Sequence, residues 1–223
     1  MNTYLIGDCV EKIREIPDNS IHCIITAAAW GDAWSYSRYP DIIKATKGGC
    51  SGTWDFPVLV HEMYRVLVPG GMVCWHVGDN CPPYYETLVH ARQAVYFVDE
   101  VGFTLHKTII CQRDVGDFQY TLCFSKGIPR VYTKIHDIDI WSGPSRFQEE
   151  ISRFFNEGIE TPNITPNGST AIWLTHDLIL TYTQEGDTIL DPFCGSGTTL
   201  QESEKLNRIG IGIEIDPGFW KYL

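Results

Sequence analysis

The stretch from Thr188 to Asn207, TILDPFCGSGTTLQESEKLN, constrains the fold more than any other part of this 223-residue chain. A short apolar run ends in Asp191, a glycine-bearing turn follows, and a helical pattern begins at Thr198. Glycines let a backbone approach a ligand closely, and the start of a helix presents unpaired N–H groups with partial positive charge. This order is typical of the ligand-binding strand–turn–helix unit of a parallel α/β sheet.

The rest of the chain alternates in the same way. Short apolar runs predict buried strands at 3–7, 21–26, 72–78, 187–191 and 208–215. Helical spacing of apolar residues covers 9–17, 56–71, 85–102, 175–183 and 198–207. Two further runs, 104–112 and 119–127, are close enough in sequence to form an antiparallel pair. We therefore expect a three-layer α/β domain with a mainly parallel sheet.

The segment from Val131 to Thr170 interrupts this alternation. It contains Pro144, Pro162 and Pro166, and only 146–158 has helical spacing, so we expect the remainder to be loop. A long irregular insertion in a compact domain is usually either functional or disordered, and we favour a functional role.

Composition limits the partners and the compartment. No apolar run is long enough to span a membrane, and the N-terminus lacks the pattern of a secretory signal. The eight cysteines are scattered without C-x-x-C spacing, so we expect reduced core thiols in a cytoplasmic protein and no metal site. The formal net charge of −11 repels nucleic acid at long range, although 106–170 is nearly balanced.

A second acid supports a nucleotide-like ligand at the glycine turn. About twenty residues beyond the turn, the strand in IGIGIEID ends in Glu214. An acidic side chain at that position can accept hydrogen bonds from two ribose hydroxyls. Strand, glycines, helix and acid in this register are a stronger signal than a glycine turn alone.

The sequence DPFCGSGTT followed by IGIEID resembles the cofactor motif of the amino-methylating DNA methyltransferases. Three further stretches resemble other segments of that family: GDCVEKIREIPDNSIHCIIT, VHEMYRVLVPGGMVCWHVGD and GFTLHKTIICQ with YTLCFSKG. The catalytic strand comes first and the cofactor turn last, which is the permuted, beta-type order. The resemblance implies a Rossmann-like methyltransferase fold, S-adenosylmethionine as cofactor and DNA as partner. It also implies one domain over 1–223, with target recognition in 131–170, and a homodimer or a partner subunit.

The same resemblance assigns a cofactor-binding set. Its members are Asp8, Thr26, Ser169, Thr170, Asp191, Phe193, Gly195, Ser196, Gly197, Thr198 and Glu214. Asp191 is expected at the methionine end and Phe193 on the adenine side, although Phe193 could be plain core. Asp8 is expected beside the adenine, and the alternative is that it caps the helix that follows. Thr170-Ala171 stands where the family commonly has Lys-Pro.

The catalytic slot departs from the family. Ser-Pro-Pro-Trp, Ser-Pro-Pro-Tyr or Asp-Pro-Pro-Tyr is replaced here by Ala27-Ala28-Ala29-Trp30. In the family the Ser or Asp side chain and the next carbonyl accept the two amine hydrogens of a flipped base, and the aromatic ring stacks on that base. Ala27 has no acceptor, so we expect a nearly inactive chain that still binds cofactor. We interpret the alanines as a deliberate replacement, with neutral drift as the alternative.

Several alternatives stay open. Trp30 and Thr26 resemble the Ser-Pro-Pro form, which favours N4 of cytosine as the target, with N6 of adenine as the alternative. A second alternative is a non-catalytic subunit that binds S-adenosylmethionine and nucleic acid, and a third is an RNA substrate. Outside the motif, Asp79 is either a site residue or a loop cap. We expect His76 and His176 to be structural.

Overall fold

The computed structural model describes residues 2–27, 55–78, 88–114, 117–133, 140–142 and 172–218. These residues form eight strands and five helices. The strands are β1 (Thr3–Ile6), β2 (Ile21–Ala27), β3 (Leu67–Gly78), β4 (Thr104–Asp114), β5 (Asp117–Ser125), β6 (Ile140–Ser142), β7 (Thr188–Asp191) and β8 (Ile209–Glu214). The helices are α1 (Cys9–Lys12), α2 (Phe56–Val66), α3 (Val89–Val95), α4 (Ile172–Tyr182) and α5 (Thr198–Lys205). A 3₁₀ turn (Ile13–Glu15) follows α1 and a π-helical turn (Tyr96–Glu100) follows α3.

The eight strands form one sheet in the order β1-β8-β7-β2-β3-β5-β4-β6. Every neighbouring pair is parallel except the two that involve β5, which runs antiparallel to β3 and to β4. The predicted Rossmann-like fold class, with its mostly parallel sheet and antiparallel hairpin, is therefore confirmed. Because β5 is antiparallel to β3, its first residues lie at the edge of the sheet where β2 and β3 end.

Two details of the predicted secondary structure were wrong. The second helix was expected to continue to the Pro-Gly-Gly sequence, but α2 ends at Val66, and Leu67 already pairs with Ile21 of β2. Leu67 and Val68 are apolar in either structure, so periodicity could not separate the end of the helix from the start of the strand. In the segment 131–170, residues 140–142 form β6, which pairs with β4, where only loop was expected.

The core lies on both faces of the sheet. On one face, α1, α2 and α3 cover a cluster that includes Trp75, Phe97 and Phe124, with the Phe97 and Phe124 rings stacked at 4.3 Å. On the other face, α4 covers a second cluster that includes Cys23, Cys74, Cys123 and Tyr182. This division accounts for the near-continuous apolar sequence of the central strands.

All six cysteines in the described residues are free and buried, as the composition predicts: Cys9, Cys23, Cys74, Cys111, Cys123 and Cys194. Among the helices of the described residues, none combines the length and the apolar character that crossing a membrane requires.

Candidate functional site at the carboxyl edge of the sheet

The order of strands in the sheet reverses between β2 and β7. These strands are parallel neighbours in the sheet, with Cys23 aligned with Ile189 and Ile24 with Leu190. From β2 the chain leads through α2 to β3 on one side, and from β7 it leads through α5 to β8 on the other. In open α/β sheets, ligands bind outside the carboxyl ends of the strands at such a switch point.

A buried hydrogen bond joins the two strands at this point. The Thr26 hydroxyl donates to Asp191 Oδ1 at 2.7 Å, and the Phe193 backbone N–H donates to the same oxygen at 3.1 Å. Asp191 is only 5% exposed. Burial raises its pKa to about 6, although hydrogen bonds from Thr26, Thr199 and Phe193 oppose the rise. The repulsion from Glu214 adds to the rise in pKa.

Glu214 holds the glycine turn in place. Its Oε2 accepts the Gly195 backbone N–H and its Oε1 accepts the Asp216 N–H, both at 2.9 Å. Gly195 (φ +49°) and Gly197 (φ +81°) adopt left-handed backbone conformations that favour glycine. A carboxylate has about four acceptor positions, so each Glu214 oxygen retains capacity for a ligand hydroxyl.

The turn leaves space and donors for a ligand. A Cβ added at Gly195 would meet no atom of the described residues within 4 Å, which indicates an open cradle at the turn. Gly197 is the N-cap residue of α5 and makes no side-chain cap, so the first N–H groups of the helix, at Thr198 and beyond, have no capping side chain to accept their hydrogen bonds. Ser196 lies within this turn. The predicted residues Gly195, Ser196, Gly197 and Thr198 thus come together with Asp191 and Glu214.

Asp8 reaches the same edge from β1. The Gly7 N–H donates to the Glu214 backbone carbonyl at 3.0 Å, which sets the end of β1 beside the end of β8. The Asp8 side chain accepts the N–H groups of Val10 (2.8 Å) and Glu11 (3.3 Å), and so it caps α1. The helix-cap alternative is therefore present in the structure, and contact with a cofactor stays a prediction for this residue.

Phe193 lies at the border between the turn and the core. It is partly buried, and its ring packs edge-on against Trp75 with 6.4 Å between ring centroids. Both interpretations of this residue are compatible with that position, because only part of the ring contacts the core.

These residues fit S-adenosylmethionine in the character of their groups. A nucleoside requires acceptors for ribose hydroxyls, which Glu214 provides, and the ammonium group of an amino-acid moiety requires an anionic group such as Asp191. Donors from an uncapped helix start suit a carboxylate. When bound, this cofactor supplies an activated methyl group.

The slot that was predicted to be catalytic begins where β2 ends. Ala27 is the last residue of β2, next to Thr26, and aligns with His76 of β3. The predicted residues Ala28, Ala29, Trp30, Ser169 and Thr170 lie outside the described residues, as does Asp79.

One polar cluster beside the slot was not predicted. His76, expected to be structural, contacts the Thr121 hydroxyl through Nδ1 and the Gln119 amide oxygen through Nε2, both at 2.8 Å. All three side chains are buried. The only sequence signal was three polar residues in otherwise apolar strands, since the pairing depends on the β3–β5 register.

Within the part of the chain that the structure describes, no group of His, Cys, Asp or Glu side chains could hold a metal ion. His176 contacts Glu202 at 2.6 Å, which connects α4 to α5 and agrees with the structural role expected for His176.

Comparison with known proteins gives the family. The model of the N6/N4 family described as DNA methylase matches residues 54–223. The chain is 29% identical to the orphan methyltransferase M.BamHII of Bacillus amyloliquefaciens, over 91% of this chain and 86% of that protein.

Two solved structures have the same fold. The cytosine-N4-specific PvuII DNA methyltransferase has a TM-score of 0.72 at 17% identity, covering 98% of this chain and 83% of that one. TTHA0409 from Thermus thermophilus, described as a DNA modification methylase and solved with S-adenosyl-L-methionine, has a TM-score of 0.67 at 22% identity. It covers 100% of this chain and 92% of that one. The chain belongs to the N6/N4 DNA methylase family of S-adenosylmethionine-dependent DNA methyltransferases, in its permuted, beta-type order.

Proposed function

We propose that this chain is the methyltransferase domain of an enzyme that modifies N4 of cytosine at a short DNA site, with its catalytic slot disabled. The observation that carries the proposal is the Thr26–Asp191 hydrogen bond at the switch point. It fixes the end of the catalytic strand against the cofactor strand, so a residue at position 27 lies next to the site expected for the cofactor.

The chemistry explains what the slot lacks. An exocyclic amine is a weak nucleophile because its lone pair is delocalised into the ring. A Ser hydroxyl at position 27 and the following carbonyl would accept the amine hydrogens, which returns the lone pair to the nitrogen. Ala27 offers a methyl group instead. Loss of one positioned polar group at a reacting centre costs on the order of 10²–10³ in rate.

The cofactor-binding set is proposed for Asp8, Thr26, Ser169, Thr170, Asp191, Phe193, Gly195, Ser196, Gly197, Thr198 and Glu214. Glu214 would hold the ribose, Asp191 the amino-acid end and Phe193 the adenine side. None of these residues is replaced by alanine, so cofactor binding should survive in the chain as it is.

The target base and the recognition element are proposed on separate grounds. Thr26 and Trp30 flank the slot as in the Ser-Pro-Pro form, which favours cytosine, and PvuII DNA methyltransferase, which has the same fold, is cytosine-N4-specific. Adenine N6 is the alternative. The segment 131–170 is proposed to read the DNA sequence. The β6 strand within it pairs with β4 and so ties this segment to the edge of the sheet.

A second candidate function is a non-catalytic subunit that binds S-adenosylmethionine and DNA. The three alanines and the net charge of −11 favour it. The two candidates differ in whether a serine and two prolines would restore chemistry.

The test compares this chain with a triple variant, Ala27→Ser, Ala28→Pro and Ala29→Pro. Both are incubated with methyl-labelled S-adenosylmethionine and unmethylated genomic DNA, and the DNA is digested to nucleosides for mass spectrometry. We expect methylation by the triple variant alone, with N4-methylcytosine as product, and N6-methyladenine would reassign the base. Equal cofactor binding with no product from either protein would support the non-catalytic subunit.

A further inference from the structure

The cluster of His76, Thr121 and Gln119 lies next to the catalytic slot on one face of the sheet. Ala27 aligns with His76, His76 aligns with Thr121, and Gly78 aligns with Gln119. Alternation along β2 places Ala27 on the same face of the sheet as Cys23 and Ile25, and alternation along β3 places His76 on the same face as Cys74. Cys23, Ile25 and Cys74 all pack under α4. Thr121 is therefore about 10 Å from Ala27, two strand spacings across the sheet, and Gln119, two residues before Thr121 toward the strand end, is about 12 Å away.

The contacts in this cluster determine which groups donate and which accept hydrogen bonds. The Gln119 amide oxygen can only accept, so the proton of His76 is on Nε2 and points to it. In the neutral ring Nδ1 then accepts, and the Thr121 hydroxyl donates to it. The Cys111 side chain lies in hydrogen-bonding contact with Thr121, and this contact opposes the rise in the Cys111 pKa. Burial raises the pKa of Cys111 to about 11, so this thiol stays protonated.

With the Gln119 oxygen accepting from His76, the Gln119 amide NH₂ is left as the donor at the end of this chain of hydrogen bonds. Among the described residues, the Gln119 nitrogen has no hydrogen-bond partner. Thr175 Oγ1 is the one fully enclosed side-chain polar atom there that lacks a partner, so the Gln119 nitrogen is not fully enclosed. The Gln119 nitrogen therefore retains access to solvent, at the edge where β5 begins and β3 ends. The side chain as a whole is only 6% exposed, so its orientation is set by its contacts.

Resting on the proposed function, we infer that Gln119 recognises the target base by donating to the ring nitrogen next to the reacting amine, and that His76 positions Gln119. Cytosine N3 and adenine N1 are both acceptors adjacent to an exocyclic amine. On the Watson–Crick edge, guanine carries the N1–H donor beside its amine, and thymine carries the N3–H donor and has no exocyclic amine. A donor that meets this edge thus favours the two bases that the family methylates over the other two.

The first test removes the proposed hydrogen bond between Gln119 and the base, once by changing the protein and once by changing the DNA. In the Ala27→Ser, Ala28→Pro, Ala29→Pro background, Gln119→Leu removes the donor, and 3-deazacytosine in the target removes the acceptor (1-deazaadenine if the product is N6-methyladenine). We expect each change alone to lower kcat/KM about tenfold, as for one buried hydrogen bond. The two changes together should cost no more than one. Additive losses would overturn the inference.

A matched variant separates recognition from folding. Gln93 is also 6% exposed, and its amide oxygen accepts the Trp75 indole N–H at 2.8 Å on the opposite face of the sheet. Gln93→Leu should lower the melting temperature while keeping the preference for cytosine over 3-deazacytosine. His76→Leu should weaken that preference less than Gln119→Leu, because the amide remains. Cofactor affinity should be unchanged in the Gln119 and His76 variants.

The second test does not depend on methylation. Single-stranded oligothymidine with one cytosine, or with one 3-deazacytosine, is titrated into the unaltered chain with S-adenosylhomocysteine, and fluorescence anisotropy is measured. We expect several-fold tighter binding of the cytosine strand, and no difference with Gln119→Leu. If this preference is present but the triple variant does not methylate, the proposed function fails and base recognition by Gln119 stands. Methylation that is unaffected by Gln119→Leu and 3-deazacytosine would leave the function intact and refute the role of Gln119.

Discussion

The two sides of the switch point treat their polar groups differently. On the side proposed to bind the cofactor, called here the cofactor side and formed by β7, β8, β1 and α5, both carboxylates accept backbone N–H groups. Asp191 accepts from Phe193 in addition to the Thr26 hydroxyl, and Glu214 accepts from Gly195 and Asp216. On the side proposed to bind the base, called here the base side and formed by β2, β3 and β5, the polar groups around His76 bond to other side chains, and the end of β2 carries Ala27. Backbone contacts make the cofactor side part of the fold itself. On the base side, a few side chains can therefore be replaced without loss of the fold.

The largest expected effect is loss of cofactor affinity in Glu214→Ala. This change removes the acceptor for Gly195 and Asp216, and with it the proposed ribose contacts. Bonds to a charged group contribute about 1.5–3 kcal/mol each, so affinity for S-adenosylmethionine should fall roughly 100-fold or more. Isothermal titration calorimetry measures it. Ala27→Ser, on the base side, should leave affinity within about threefold of the original chain. Equal losses of cofactor affinity in Glu214→Ala and Ala27→Ser would contradict the difference proposed between the two sides.

The boundary between the sides should respond to pH through Asp191. Its folded-state pKa of about 6 lies above the ordinary value, so the folded protein binds this proton more tightly than the unfolded chain does. The contribution of Asp191 is therefore fully present below about pH 4 and is lost as pH rises to about 6. Its size is on the order of 2–3 kcal/mol.

The measurement is urea unfolding from pH 4 to pH 7, for the original chain and for Asp191→Asn. Asparagine keeps an acceptor for Thr26 and cannot ionise. We expect the difference in unfolding free energy between the two proteins to shift toward Asp191→Asn as pH rises. A difference that does not change over this range would refute the raised pKa.

A smaller effect is expected from Gly212→Ala, which tests how closely α5 packs on β8. A Cβ at this position would lie 2.8 Å from both Cys194 Sγ and Leu200 Cδ2. Overpacking of this kind costs about 1–3 kcal/mol. We expect a lower urea midpoint together with weaker cofactor binding, because α5 begins at the glycine turn.

Gly102→Ala is the control, since its Cβ would meet no atom of the described residues within 4 Å. It should lose some stability from its positive φ of 88° but keep cofactor affinity. Weaker binding in the control as well would show that the loss is not specific to α5.

The smallest effect is expected from Glu202→Gln, which tests the contact between α5 on the cofactor side and α4, which packs on β2 and β3 of the base side. Glu202 on α5 accepts from His176 on α4 at 2.6 Å and from Lys205 at 3.2 Å. Because the side chains of His176 and Lys205 are exposed to solvent, the loss should be about 1 kcal/mol or less. Thermal unfolding should remain a single transition. Two separate transitions would mean that this contact couples the two sides.

Sequence predicted the cofactor side better than the base side, for a physical reason. Asp191, the glycine turn and Glu214 are adjacent in sequence to the ends of strands that periodicity locates, so parallel pairing alone brings them together. His76, Thr121 and Gln119 meet only through the register of an antiparallel pair, which no local pattern reveals. Asp8 also shows a limit, because an acid after a strand suits a helix cap and a ligand contact equally.

The alkylation rates of the buried thiols report local opening of the native protein. An alkylating reagent reaches a thiol only when the structure around it opens, so the rate at each cysteine reports the free energy of that opening. Cys9 and Cys194 report on the cofactor side, and Cys23, Cys74, Cys111 and Cys123 on the base side. Peptide mass spectrometry reads the six rates from one unmodified sample. A saturating cofactor should slow alkylation of Cys9 and Cys194 more than alkylation of the other four cysteines. The native cysteines therefore report which part of the structure a bound ligand stabilises.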